Sequence, residues 1–356
     1  MLFYLYSILI AVFILFTLKR VAVPLRLLDR PCERKMHEGM IPLIGGIGVY
    51  FTIVVAFLSL NLSIPVSNMF FLCTGVIVFL GVLDDKYDLK VSVRLLVQII
   101  LSVVLITFED RYISSLGAIF GELVPLEIGI IGIPLTVIAI IAAINAFNMI
   151  DGIDGLLACT ASVTFLGILI MSFVVGDLTL VPFCALMLGA LTVFLMFNLN
   201  IKPLSKTKIF MGDAGSMLIG LIVIWLLVIG SQPSQNSANL DVFSPVTALY
   251  FIAIPLMDLV AIMYRRIKKG SSPFKADRDH IHHIFMRMGA TPRVTLCVIS
   301  ILSLSVMLLG VCLEAFGAPE WVSLIIFCFI FALYVHTIQH AFKFTSLVNK
   351  ILKEKV

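Results

Sequence analysis

Charge is what this chain has least of. Acidic and basic residues make up 13% of its 356 residues, about half the share of an ordinary soluble domain. Hydrophobic residues fill 61%. That balance excludes a soluble globular fold, and no nucleic-acid partner is expected. The C-x-x-C pair is also missing. The seven cysteines, at 32, 73, 159, 184, 297, 312 and 328, mostly lie inside apolar runs. They read as small buried hydrophobes rather than as a redox or zinc site. There is no internal repeat of the kind many transporters carry, no low-complexity tract and no break between domains. Residues 1–356 read as a single polytopic unit.

What is present is a succession of continuous apolar runs, each about as long as a membrane-spanning helix. Barrel strands would be shorter and would alternate. Eleven candidate spans fall near 2–18, 43–60, 68–83, 95–108, 132–149, 156–175, 180–197, 214–230, 245–263, 294–313 and 321–340. The first has no basic segment before it and no small-residue cleavage site after it. It reads as a retained helix, not a signal peptide. If Met1 lies outside, the inner loops hold 24 of the 25 Lys and Arg residues, and only Arg111 falls on the other side. Such asymmetry sets orientation. The expected fold is therefore all-α integral membrane, with about eleven transmembrane helices. The N-terminus is expected to be periplasmic and the C-terminus cytoplasmic. Residues 112–131 are expected to form a small periplasmic hairpin.

Acids on the outer loops are scattered, whereas those on the inner side gather at span ends. Asp84 and Asp85 end the third span, where the helix dipole repels them and a cation or a reacting group would give them a reason. Segment 145–156, N-A-F-N-M-I-D-G-I-D-G-L, runs from an apolar span into Asn148, Asp151 and Asp154. Their spacing of three puts them on one helical face, and no Lys or Arg lies in the turn. Asp213, in F-M-G-D-A-G-S (210–216), is either a plain helix cap or a hard-cation ligand beside glycine amides able to meet phosphate. A Gly45-Gly46 pair opens the second span after the cations of the first loop, an arrangement that also suits a phosphate. His280, His282 and His283 sit in the most basic loop and suit an anionic substrate better than zinc. Oxygen ligands at one depth suit Mg²⁺ or Mn²⁺, and the constellation describes phosphoryl-group transfer.

Four motifs in this order, L-D-D (83–85), 145–156, 210–216 and D-H-I-H-H (279–283), resemble the polyprenyl-phosphate N-acetylhexosamine-1-phosphate transferase superfamily, glycosyltransferase family 4. The resemblance covers nearly the whole chain. It implies an enzyme of the bacterial inner membrane with its site on the cytoplasmic face. The implied reaction transfers GlcNAc-1-phosphate from UDP-GlcNAc to undecaprenyl phosphate, an early step of O-antigen or related surface-glycan synthesis. Asp84 and Asp85 are then the catalytic pair, and Asn148, Asp213 and Asp151 the metal-site residues. Asp154, Phe210, Asn198, His280, His282, His283 and Arg265 are the implied substrate contacts, with Lys35, Lys90 and Arg94 steering the anions. Ile281 interrupts the histidine run, which favours the GlcNAc-type branch over the peptidoglycan branch with its three adjacent histidines. Another UDP-N-acetylhexosamine is the alternative donor. A homodimer is compatible with this reading. A secondary transporter and a lipid-binding scaffold are the remote rivals.

Overall fold

A computed structural model describes residues 1–29, 39–60, 66–121, 125–201, 208–232, 241–270, 272 and 280–353. Buried in hydrocarbon, an apolar run has no water to satisfy its backbone, and the helix satisfies it internally. The runs accordingly form helices α1 (Leu2–Ala22), α2 (Gly45–Leu60), α3 (Asn68–Tyr87) and α4 (Val91–Glu109). Next come α5 (Gly132–Ile150), α6 (Leu156–Val175), α7 (Val181–Asn198) and α8 (Gly212–Ser231). The rest are α9 (Pro245–Phe251), α10 (Ala253–Lys268), α11 (Ile281–Arg287), α12 (Pro292–Ala315) and α13 (Glu320–Lys353). Among the described residues, nine helices are long and apolar enough to cross a membrane. The shorter α2 and the pair α9–α10 account for the other two expected spans.

The expected ninth span is not one straight helix. α9 and α10 meet at 82°. Pro255 supplies the cause, because its ring would collide with the Phe251 carbonyl four residues earlier in a continuous helix, and it has no N–H to donate. The fold is also not purely helical. Strands β1 (Leu28–Asp29) and β2 (Ile41–Pro42) pair antiparallel, Leu28 against Pro42 and Asp29 against Ile41. Two residues are too few to leave a periodic signal in sequence. The hairpin expected over 112–131 forms at its base: Ser115 bridges Glu127, and Ile128 N–H donates to the Ser114 carbonyl at 2.8 Å. Gln232, beyond the end of α8, fastens it by accepting from the Ser114 and Ser115 amides and donating to the Ser115 carbonyl.

α8 is apolar on every side, and such a helix belongs in the middle of a bundle. Its membrane-length window is 94% buried, against 17% for α1 and 22% for α13. Small residues bring its neighbours close. A Cβ at Gly46 of α2 would lie 2.2 Å from the Gly215 Cα, and one at Gly81 of α3 would lie 2.3 Å from the Ala214 Cα. These contacts hold the ends of α2 and α3 against the first turn of α8, where the acids are.

Candidate active site

The C-terminal ends of α3, α5 and α7 and the N-terminal end of α8 meet at one end of the bundle. A polar cleft of about 560 Å³ opens there. Asp85, Asn148, Asp151, Asp154, Asn198, Phe210 and Asp213 all line it. Seven of the residues expected from sequence are thus brought together from four separate segments.

The two adjacent aspartates of α3 part company. Asp84 turns into the protein: its carboxylate accepts from Arg94 at 2.6 Å and from the Leu89 amide at 2.9 Å. Its side chain is 2% exposed. Asp85 faces the cleft and accepts from the Asp213 and Ala214 amides at 3.0 and 3.4 Å. The repulsion expected at the end of α3 is thus relieved twice, by a guanidinium for Asp84 and by the positive end of α8 for Asp85.

That second contact corrects an expectation. Asp85 takes the Asp213 and Ala214 amides of α8, so those two are not open to a phosphate. The glycine pair of α2 is corrected likewise, because its amides donate to the Phe210 and Met211 carbonyls at 2.9 and 3.0 Å. Nor is Asp213 the cap of α8; it lies within the first turn, and Met211 precedes the helix. Gly45, Gly46 and Gly215 serve helix contact, and Gly212 adopts a φ of +73° where the chain turns past Asp85.

Asn148 bridges α5 and α8, donating to Asp213 at 2.7 Å and to the Ser216 hydroxyl at 2.8 Å. Asp151 follows the last residue of α5. Its place deep among protein atoms, and then the charges of Asp213, Asp85 and Asp154, push its carboxyl up to about 8. The side chain is exposed to the cleft, so water screens part of this effect. The direction still marks mutual repulsion among these acids. Asn198 donates to the Ile209 carbonyl at 2.9 Å, while its buried Oδ1 has no partner among the described residues.

Lys208, absent from the sequence-based set, bonds Asp154 at 2.6 Å and lies over the Phe210 ring at 5.0 Å. Its signal was available, since residues two apart on an extended segment share a side. Ser216 was legible for a similar reason, three residues after Asp213 on a helix. Asp29 also lines the cleft, with no sequence signal to single it out.

The histidines lie beside the cleft rather than in its wall. His282 is 1% exposed, and burial, followed by the neighbouring histidines, pushes its imidazolium down to about 3. Burial thus disfavours the charged form of this ring. Its Nε2 would sit 2.0 Å from a Cβ at Gly152, inside the acidic turn. Gly152→Ala must push this ring aside, an overpacking worth about 1–3 kcal/mol. Steady-state assays of that variant are expected to show a 10- to 100-fold loss in kcat/KM. His283 is half-buried in α11, tilted against His282 at 4.2 Å. Arg265 stands in the last turn of α10 and Lys90 is exposed before α4, both outside the cleft wall. Lys35 lies outside the described residues.

The oxygen-rich donor set fits a hard divalent cation. Among the described residues, no three acidic, imidazole or thiol groups close into a ready-made cage. Mg²⁺ needs none, because it binds through one or two carboxylates plus substrate phosphates and keeps several waters.

The sequence profile of glycosyl transferase family 4 matches residues 67–231, from the turn before α3 to the end of α8. Undecaprenyl-phosphate alpha-N-acetylglucosaminyl 1-phosphate transferases are similar over nearly the whole chain. The one from Escherichia coli strain K12 is 43% identical over 338 residues, 95% of this chain and 90% of the relative. That from Yersinia pestis is 40% identical over 346 residues, 97% and 93%. That from Haemophilus influenzae is 39% identical over 325 residues, 91% and 90%.

Proposed function

The chain belongs to glycosyl transferase family 4, and on that premise we propose that it transfers GlcNAc-1-phosphate from UDP-GlcNAc to undecaprenyl phosphate. One observation carries the reading beyond resemblance. Acids and amides from α3, α5, α7 and α8 line a single cleft at one end of a membrane-spanning bundle. An acceptor with a polar phosphate and a long apolar tail requires that arrangement, head at the cleft and tail in lipid. The concentration of Lys and Arg in the loops at this end favours the cytoplasmic face of a bacterial inner membrane. There the product would open the assembly of a surface glycan such as O-antigen.

In the proposed reaction an acceptor phosphate oxygen attacks the β-phosphorus of UDP-GlcNAc. A new P–O bond forms, and the bond to the α-phosphate breaks. The electron pair leaves with UMP, and undecaprenyl-diphospho-GlcNAc remains. Mg²⁺ or Mn²⁺, held by Asp213, Asn148 and Asp151, would neutralise the diphosphate and the departing UMP. A phosphate monoester has a second pKa near ~6, so the acceptor is mostly dianionic at pH 7. Asp85 then has only to orient it or take the remaining proton. Phe210 offers a ring face to uracil. Asn198 Oδ1, buried and without a partner among the described residues, would accept from a donor such as the uracil imide N–H. Lys208 would exchange its bond to Asp154 for one to the diphosphate.

Lys208→Met is therefore expected to raise the KM for UDP-GlcNAc about tenfold, the worth of one charge-assisted hydrogen bond, with kcat little changed in a UMP-release assay. The deciding experiment incubates purified protein with undecaprenyl phosphate and a panel of UDP-sugars. UMP and lipid-linked GlcNAc are the expected products. Turnover confined to another UDP-N-acetylhexosamine would move the assignment to that donor. Substrate flux in sealed vesicles with no UMP would overturn it in favour of transport.

A further inference from the structure

Asp258 lies in α10, past the 82° break, and is 1% exposed. Its carboxylate gathers donors from two other parts of the chain. Oδ2 is 2.7 Å from His280 Nδ1. Oδ1 accepts from the Ile281 amide at 3.1 Å and from the Tyr334 hydroxyl of α13 at 2.9 Å. Oδ1 takes the two fixed donors and Oδ2 faces Nδ1 alone; with Asp258 as a carboxylate, Nδ1 of His280 is the donating nitrogen. Nε2 is then the nitrogen left for a ligand. The His280 ring lies parallel to that of His282, 5.8 Å between centroids at 3°. His282 in turn abuts Gly152 in the acidic turn.

We propose that Asp258 is a positioning residue for the sugar-nucleotide donor: it accepts Nδ1–H and so orients the His280 ring, whose Nε2, carrying a second proton, donates to the diphosphate, and Tyr334 ties this arrangement to the last membrane span. The inference rests on the assignment of the histidine segment to donor binding. It adds a residue that touches no substrate and acts through one that does. The partners of a ligand-bearing histidine commonly control its orientation, and their loss costs about 10–100-fold.

A double-mutant cycle tests this. Asp258→Ala, His280→Ala and the double variant are purified, checked for folding by thermal melting, and assayed with UDP-GlcNAc and undecaprenyl phosphate. Asp258→Ala is expected to lower kcat/KM for UDP-GlcNAc about 30-fold and leave the KM for undecaprenyl phosphate unchanged. The double variant should be no worse than His280→Ala alone. If Asp258→Ala does not fold, Tyr334→Phe replaces it in the cycle, with an expected loss of about threefold that also vanishes in the His280→Ala background. Losses that multiply, or a parallel rise in both KM values, would overturn the positioning role while leaving histidine contact with the donor standing. Full activity of His280→Ala would overturn both.

Discussion

Asp213→Asn is expected to lower lipid-linked GlcNAc formation by about 10²–10³-fold, the usual cost of removing one preorganised electrostatic contact from a transition state. The fold should survive, because the change keeps the shape of a side chain that Asn148 and the first turn of α8 already hold in place. The loss should fall chiefly on kcat, and the divalent-cation concentration needed for half-maximal rate should rise. That second readout separates cation binding from simple damage to the cleft, because a misfolded fraction lowers rate at every cation concentration alike. Near-wild-type transfer by Asp213→Asn at low Mg²⁺ would remove Asp213 from the cation site.

The second large effect divides two neighbours. Asp84→Asn is expected to destabilise the protein and Asp85→Asn to disable it. Breaking the Asp84–Arg94 pair strands a guanidinium beside a buried amide, and loss of one partner of a buried pair costs about 3–5 kcal/mol. Arg94 is 22% exposed, so water recovers part of that and about 2–3 kcal/mol is expected. Melting of the detergent-solubilised protein should show the drop, and Arg94→Met should reproduce it. Asp85→Asn retains an oxygen for the α8 amides but loses its charge and its basicity. Its melting temperature should stay near wild type while kcat falls about 100-fold or more. A stable but inactive Asp84→Asn would reverse the two assignments.

The acids were legible because charge at a span end is costly and stands out against apolar flanks. Asp151 and Asp213 could be named from that alone, whereas Asn148 needed its spacing of three from Asp151 and the family resemblance. Asp84 and Asp85 could not be told apart, because adjacent residues share a sequence environment and only the packing of α3 against α8 shows which one turns inward. The glycine-rich segments misled for a related reason. A glycine before a helix fits an anion or a close neighbour equally well, and the neighbours, Phe210 and Gly215 for the α2 pair, are far away in sequence. The bend between α9 and α10 carried a signal in Pro255, yet the surrounding run stays apolar and hydropathy passes over it. The setting of Asp258 is not legible in sequence, since its partners lie 22 and 76 positions away.

The seclusion of α8 has a mechanical consequence. A bilayer changes thickness with its lipids, and that stress acts on helices that meet acyl chains, chiefly α1, α4 and α13. α8 meets almost none. The element that carries Asp213, receives Asp85 and anchors Asn148 is insulated from the lipid by a jacket of other helices. The spacing of those three side chains is set by protein against protein, and it should hold as acyl length varies.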